Sequence, residues 1–268
     1  HLGLICIRSR LKTNGFASTA ANVSMEFTTA QLIAVGLIFV WSGFVRAGLG
    51  FGGAALALPL LLMVVDQPLF FLPIVATHLL IFSSITAGRS FKKIDLKFLR
   101  ESLTWMIIPK LAGVIGLLSL PNEWMVFIIY GITGFYAITW IIKWEISSKS
   151  PWVDRLLLVL GGYFSGVSLI GAPLIVAVAV RKMAIESYRD TLFMLWFILV
   201  VIKMSAFAIA GVDLQWQWSL ALLAPTAIGH YLGLKFHVQM LKRNPRVVRQ
   251  WLGVGLLVII SLALWQYF

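Results

Sequence analysis

The sequence predicts an all-α polytopic membrane protein made of two inverted repeats. Each repeat is a broken helix or re-entrant hairpin followed by three transmembrane helices. Three observations predict this. Of 268 residues, 60% are hydrophobic and only 12% charged, and the mean hydropathy is +0.94; soluble domains carry about twice that share of charge. Apolar blocks of roughly 20 residues recur along the chain, the length at which a helix crosses a bilayer. Two of these blocks are too long for one span, and both are interrupted by glycines.

Taken in order, the apolar blocks cover 28–64, 68–88, 101–120, 124–144, 153–180, 188–211, 216–240 and 247–268. Residues 1–24 are mixed and polar, and "LGLICI" is too short for the apolar region of a signal peptide. "MEFTTAQLIAVGLIFV" from Met25 reads as a natural start, so 1–24 is expected to be an N-terminal tail or a segment added to the natural chain. A single cysteine, Cys6, excludes an internal disulfide framework and a cysteine metal cluster. No metal site and no cofactor are expected.

Charge sets the topology. The net charge of +12 could suggest nucleic-acid binding, but 16 of the 22 basic residues lie in four loops, 89–100, 143–155, 181–190 and 235–249. The connections at 65–67, 121–123 and 212–217 hold no basic residue, only Asp66, Glu123 and Asp213. Basic loops face the cytoplasm, which places the protein in a cell inner (plasma) membrane. Block 153–180 then lies between two cytoplasmic loops, so it must enter the bilayer and return. Block 28–64 has the same difficulty on the outer face. Broken backbone at membrane depth is tolerated where protein or a water-filled cavity covers it.

The two long blocks resemble each other. "GFVRAGLGFGGA" at 43–54 aligns without gaps on "GYFSGVSLIGAP" at 162–173, an offset of 119 that sets Gly43 on Gly162 and Gly52 on Gly171. Pro109 and Gly113 match Pro225 and Gly229 at an offset of 116. The expected units are therefore 25–144 and 150–268. With an odd number of crossings per unit, the second is inverted relative to the first, the architecture of many secondary transporters.

A Gly-rich broken segment heads each half, "GFVRAGLGFGGAALALP" and "GYFSGVSLIGAP", and a P-x3-G span follows two helices later, "PKLAG" and "PTAIG". In these features, across essentially all of 25–268, the chain resembles the TauE/SafE-type sulfite exporter family, also called the toluene-sulfonate-uptake permease family. The second motif departs from the pattern, with Gly166 and Gly171 flanking Ser168 where a run of glycines is usual. The resemblance implies an inner-membrane carrier of a small sulfur oxyanion such as sulfite, or of an organosulfonate, and in some members of other anions.

The residues point to anions independently. Arg46, Lys110 and Lys203 are the only basic residues inside apolar blocks, and all ten acidic residues lie in the tail, in loops or at span ends. Lys110 is about 14 Å from either end of its span at 1.5 Å per residue. A cation at the bilayer centre costs at least about 2.5–3.5 kcal/mol. Backbone carbonyls, water, deprotonation of the lysines or a bound anion are the ways left to satisfy them. Glycines would open the backbone so that N–H groups at broken-helix N-termini face a cavity, and Arg46 would add a forked donor suited to an oxyanion.

The expected substrate-binding residues are thus Arg46, Gly50, Gly52, Gly53, Lys110, Ser168, Gly171 and Lys203. At the offsets above, Arg46 pairs with Ser165, Lys110 with Thr226 and Lys203 with Ser84. With the mid-span His78 and His230, these hydroxyl residues are expected as polar lining or a proton relay. Competing readings stand beside these. Membrane glycines often serve helix packing, Arg46 could lie near an interface, and Trp105, Trp140 and Trp196 read as packing or belt residues. A passive anion channel, a carrier of a non-sulfur carboxylate and an accessory membrane subunit are the alternatives to a secondary carrier. Catalysis is not expected, since no Ser/His/Asp set, HExxH helix or CxxC pair appears. The expected partners are a small inorganic or organic anion and the lipid bilayer, with no nucleic acid; the sequence does not set the oligomeric state.

Overall fold

The structure, a computed structural model, describes residues 27–49, 53–89, 93–143, 150–242 and 245–265. They form eleven helices and no strand. The first half holds α1 (Thr29–Leu49), α2 (Gly53–Val64), α3 (Pro68–Arg89), α4 (Leu96–Leu118) and α5 (Asn122–Ile141). The second holds α6 (Pro151–Ser168), α7 (Ala172–Lys182), α8 (Ile185–Ile209), α9 (Trp216–Ala221), α10 (Leu223–Lys242) and α11 (Pro245–Trp265). Among the described residues five helices, α1, α3, α4, α5 and α8, are long and apolar enough to cross a membrane. Large apolar side chains stand exposed around the outside, Ile108 at 76% and Ile209 at 88% among them, as a surface solvated by lipid requires.

Both long blocks are broken and both return. In the first, Gly53 at the head of α2 packs on Ser42 and Arg46 of α1, while Gln31 at the start of α1 donates to the Val64 carbonyl at the end of α2, at 3.4 Å. In the second, Gly161 of α6 packs on Ile175 of α7, and Asp154 at the start of α6 meets Arg181 at the end of α7, at 2.7 Å. Each pair is therefore an antiparallel hairpin. The two ends of each hairpin share one side, and the turn of the second, at Leu169, Ile170 and Gly171, is buried.

Two helix crossings hold the hairpins to the rest, and they are alike. Gly43 of α1 lies against the Thr226 carbonyl of α10, and Gly229 of α10 against the Val40 carbonyl of α1. Gly166 of α6 lies against the Lys110 carbonyl of α4, and Gly113 of α4 against the Tyr163 carbonyl of α6. A Cβ at any of these four glycines would collide with backbone, so only glycine lets the helices approach this closely. The crossings match at an offset of 116 between α4 and α10, as expected. Between α1 and α6 the offset is 123, because Val40 corresponds to Tyr163 and Gly43 to Gly166. This corrects the gapless register of 119. Ser42, not Arg46, occupies the position of Ser165. A four-residue slip stays on almost the same helix face, so the apolar pattern hardly distinguishes the two registers.

The block 216–240 is not one helix. It divides at Leu222 into α9 and α10, three residues before Pro225. Proline has no N–H to give to the carbonyl four residues back. The α4 helix begins earlier than its apolar block because Asp95 caps it, accepting from the Phe98 N–H at 2.9 Å. Residues 1–24 lie outside the described residues.

Candidate functional site

The start of α2 and the break between α6 and α7 border one cavity of about 50 Å³. A single water needs roughly 10–15 Å³ by this measure, so a small oxyanion fits. Gly53, Ala54 and Ala55 bring the first turn of α2 to the cavity, and Gly171 and Ala172 bring the first turn of α7. The first N–H groups of a helix have no partner within it, and Pro173 at the second position of α7 has none to satisfy. Two helix N-termini thus point donors and the positive ends of their dipoles into one space.

Arg46 completes it. The residue is 3% exposed and lines the cavity. Its Nη1 donates to the His78 carbonyl at 3.1 Å, and its Cζ sits 5.4 Å from the centre of the Phe82 ring. Its Nε has no hydrogen-bond partner among the described residues. A buried guanidinium N–H without an acceptor is costly, and an oxyanion in the cavity would supply one. The glycines are needed for space. A Cβ on Gly53 would stand 3.0 Å from the Ser42 carbonyl and 3.4 Å from Arg46 Nε, and one on Gly171 would meet the Gly161 carbonyl.

The chain matches a protein family described as sulfite exporter TauE/SafE over residues 34–263. It belongs to that family. Comparisons with curated proteins and with solved structures find no match. This TauE/SafE chain is accordingly a multi-pass membrane protein of a transporter family.

The two membrane lysines do not line the TauE/SafE cavity. Both are fully buried and turn to the end of α6. Lys110 Nζ donates to the Ser165 hydroxyl at 2.8 Å and to its carbonyl at 3.3 Å. Lys203 Nζ donates to the carbonyls of Gly166 at 2.6 Å and Val167 at 3.1 Å. The last carbonyls of a helix lack partners and carry the negative end of the dipole. The lysines cover that end, while the N-terminus of α7 borders the cavity. Backbone carbonyls are the answer to how these cations are satisfied, and Ser165, which lines the cavity, connects Lys110 to it.

The break itself is strained. Leu169, at the end of α6, has φ of 62°, left-handed for a residue with a branched side chain, and such a conformation costs roughly 1–2 kcal/mol. It too lines the cavity. The other expected residues divide. His78 is buried, with Nε2 at 2.7 Å from the Ser219 carbonyl and Nδ1 at 3.1 Å from the Thr226 hydroxyl, and it supports Arg46 through its own carbonyl. His230 is half-buried and stacks on Phe82 at 4.6 Å. Ser168 is buried but bonds back to the Phe164 carbonyl at 3.0 Å. Ser84 is exposed and bonds to the Ile81 carbonyl, away from the cavity, because register along α3 cannot be read from a featureless apolar run. Gly50 and Gly52 lie outside the described residues.

Sequence reasoning missed the apolar wall. Leu79 of α3 and Phe193, Trp196, Leu199 and Val200 of α8 close the cavity opposite the helix ends. Trp196 is 8% exposed, not a belt residue. Its mid-span position was the available signal, since belt tryptophans sit at the interfaces.

Proposed function

We propose that the protein is a secondary carrier of a small sulfur oxyanion or short organosulfonate, bound between the broken ends of α1–α2 and α6–α7. The observation that carries the reading is the buried Nε of Arg46, which has no acceptor among the described residues, at a cavity lined by two helix N-termini. The donors suit an oxyanion, and the wall at Phe193 and Trp196 suits a short apolar substituent.

The two alike crossings support two inverted repeats, with α1, α2, α3, α4 and α5 corresponding to α6, α7, α8, α9–α10 and α11. With the basic ends of α4, α6, α7 and α8 in the cytoplasm, the hairpins enter from opposite faces and meet at the midplane. That arrangement suits alternating access of one shared site. An inside-negative potential drives anion export by about 2.3 kcal/mol per charge per 100 mV, so export of an anion from the cytoplasm across the inner membrane is the favoured direction.

Flux of radiolabelled sulfite, sulfate, thiosulfate and sulfoacetate in proteoliposomes tests the proposal. Saturable flux of a sulfur anion, accelerated by unlabelled anion on the far side and lost in Arg46→Gln, is expected. Non-saturating flux without countertransport means a channel, and no flux of any of the four anions defeats the substrate assignment.

A further inference from the structure

A second basic feature lies on the protein surface, among residues that do not line the cavity. A groove of about 540 Å³ opens at the start of α4, lined by Leu96, Lys97, Arg100, Glu101, Thr104 and Trp105. Its one carboxylate is engaged, since Glu101 accepts from Lys182 at 2.7 Å. The side chains of Lys97 and Arg100 are exposed and have no ion pair or hydrogen bond among the described residues. Beside the groove, Arg155 of α6 is held between two indoles, its Cζ 5.0 Å from the Trp105 ring and 4.9 Å from the Trp152 ring. The stacking fixes the guanidinium plane and leaves its edge N–H groups without a partner among the described residues.

The surroundings are amphipathic in the way a lipid is. Trp152 is 72% exposed, as an interfacial aromatic anchor is. Farther along the same two helices, Ile108 of α4 and Leu160 of α6 are exposed at 76% and 37%. Three cations without an ion pair among the described residues, with apolar helix faces below, match an anionic headgroup joined to acyl chains. A free anion would use only the first.

We propose that this groove binds one anionic phospholipid, its phosphate among Lys97, Arg100 and Arg155 and its acyl chains along the exposed faces of α4 and α6. The site rests on the topological reading that these helix ends face the cytoplasm, and on no assumption about the transported anion. Through the pair of Glu101 with Lys182 the headgroup would sit next to the end of α7, the shorter half of the inner hairpin.

The experiment is native mass spectrometry of the full chain, released from nanodiscs containing phosphatidylglycerol and phosphatidylcholine. One phosphatidylglycerol is expected to be retained per chain. Affinity should fall about fivefold for each cation removed, and so by about a hundredfold in a Lys97→Gln, Arg100→Gln, Arg155→Gln variant. A control with Lys143→Gln, Arg189→Gln and Lys235→Gln loses the same charge but should keep the lipid. Arg155→Lys, which preserves charge and fold but not the stacked plane, should weaken retention more than Arg100→Lys. Equal loss in variant and control would reduce the effect to bulk charge and overturn the site. Displacement of the lipid by millimolar inorganic phosphate would show a headgroup-independent anion site and overturn it as well. Cysteine labelling of the loops tests the topology separately.

Discussion

Lys110 donates to the Ser165 hydroxyl at 2.8 Å, and Ser165 lines the cavity into which Arg46 points. The lysine therefore meets a cavity-lining residue at the end of α6 and does not itself line the cavity. The two kinds of buried cation separate on this geometry: Arg46 lines the cavity, the proposed place of a ligand, while the lysines bond to the end of α6, so they should fail differently when removed.

Arg46→Gln should weaken oxyanion binding by about 10- to 100-fold, the worth of one or two charge-assisted hydrogen bonds. Arg46→Lys keeps the charge but not the fork, and should recover only part of the affinity. Isothermal titration with the transported anion measures both. Wild-type affinity in Arg46→Gln would remove the guanidinium from the site.

Lys203→Met strips the donor from the Gly166 and Val167 carbonyls and should cost about 1–3 kcal/mol of stability. Lys110→Met should behave similarly. Thermal unfolding in detergent should register the loss, and anion affinity should fall less than in Arg46→Gln. If Lys203→Met leaves stability intact and abolishes binding, the lysine is a ligand and the capping role is wrong.

Gly171→Ala places a Cβ against the Gly161 carbonyl and 2.8 Å from Ser165 Cβ. Overpacking of this kind costs roughly 1–3 kcal/mol, here by forcing the two halves of the hairpin apart. Gly53→Ala should be milder in stability but should displace Arg46, so its effect belongs in anion affinity. Gly36→Ala and Gly131→Ala, with nothing within 4 Å of the added atom, are the neutral controls. Parallel unfolding and binding curves on the four variants give the comparison.

Asp154→Asn breaks the ion pair that ties α6 to Arg181 at the end of α7. The carboxylate is 8% exposed and also meets Lys182 at 3.5 Å, while Arg181 keeps its bond to the Ala177 carbonyl, so losing the charge should cost about 1–3 kcal/mol. The expected result is a lower unfolding temperature. An unchanged unfolding temperature would show the pair to be dispensable for the hairpin.

Cysteines placed at Lys149 and Glu186, after Cys6→Ser, should resist an impermeant thiol reagent applied outside intact cells. A cysteine at Gln67 should react. Outside labelling at 149 or 186 refutes an inner hairpin.

The apolar blocks, the basic loops and the broken segments were legible in the sequence, because each follows from local composition. A helix that spans lipid must be apolar for its full length, and a break must be made of residues that permit one. The same reasoning marked Arg46 and the Gly-rich heads of α2 and α7, since a cation and helix-breaking glycines in a membrane block both need an explanation. Tertiary structure decided the rest. The one-turn shift that puts Ser42, not Arg46, at the place of Ser165 is invisible to a pattern that repeats every turn. Where Lys110 and Lys203 point depends on the close approach of α4 and α8 to the end of α6, made between residues up to 55 positions apart. The wall at Phe193 and Trp196 became a wall only when α8 packed across the breaks, because an apolar side chain carries no mark of whether it will face lipid, core or cavity.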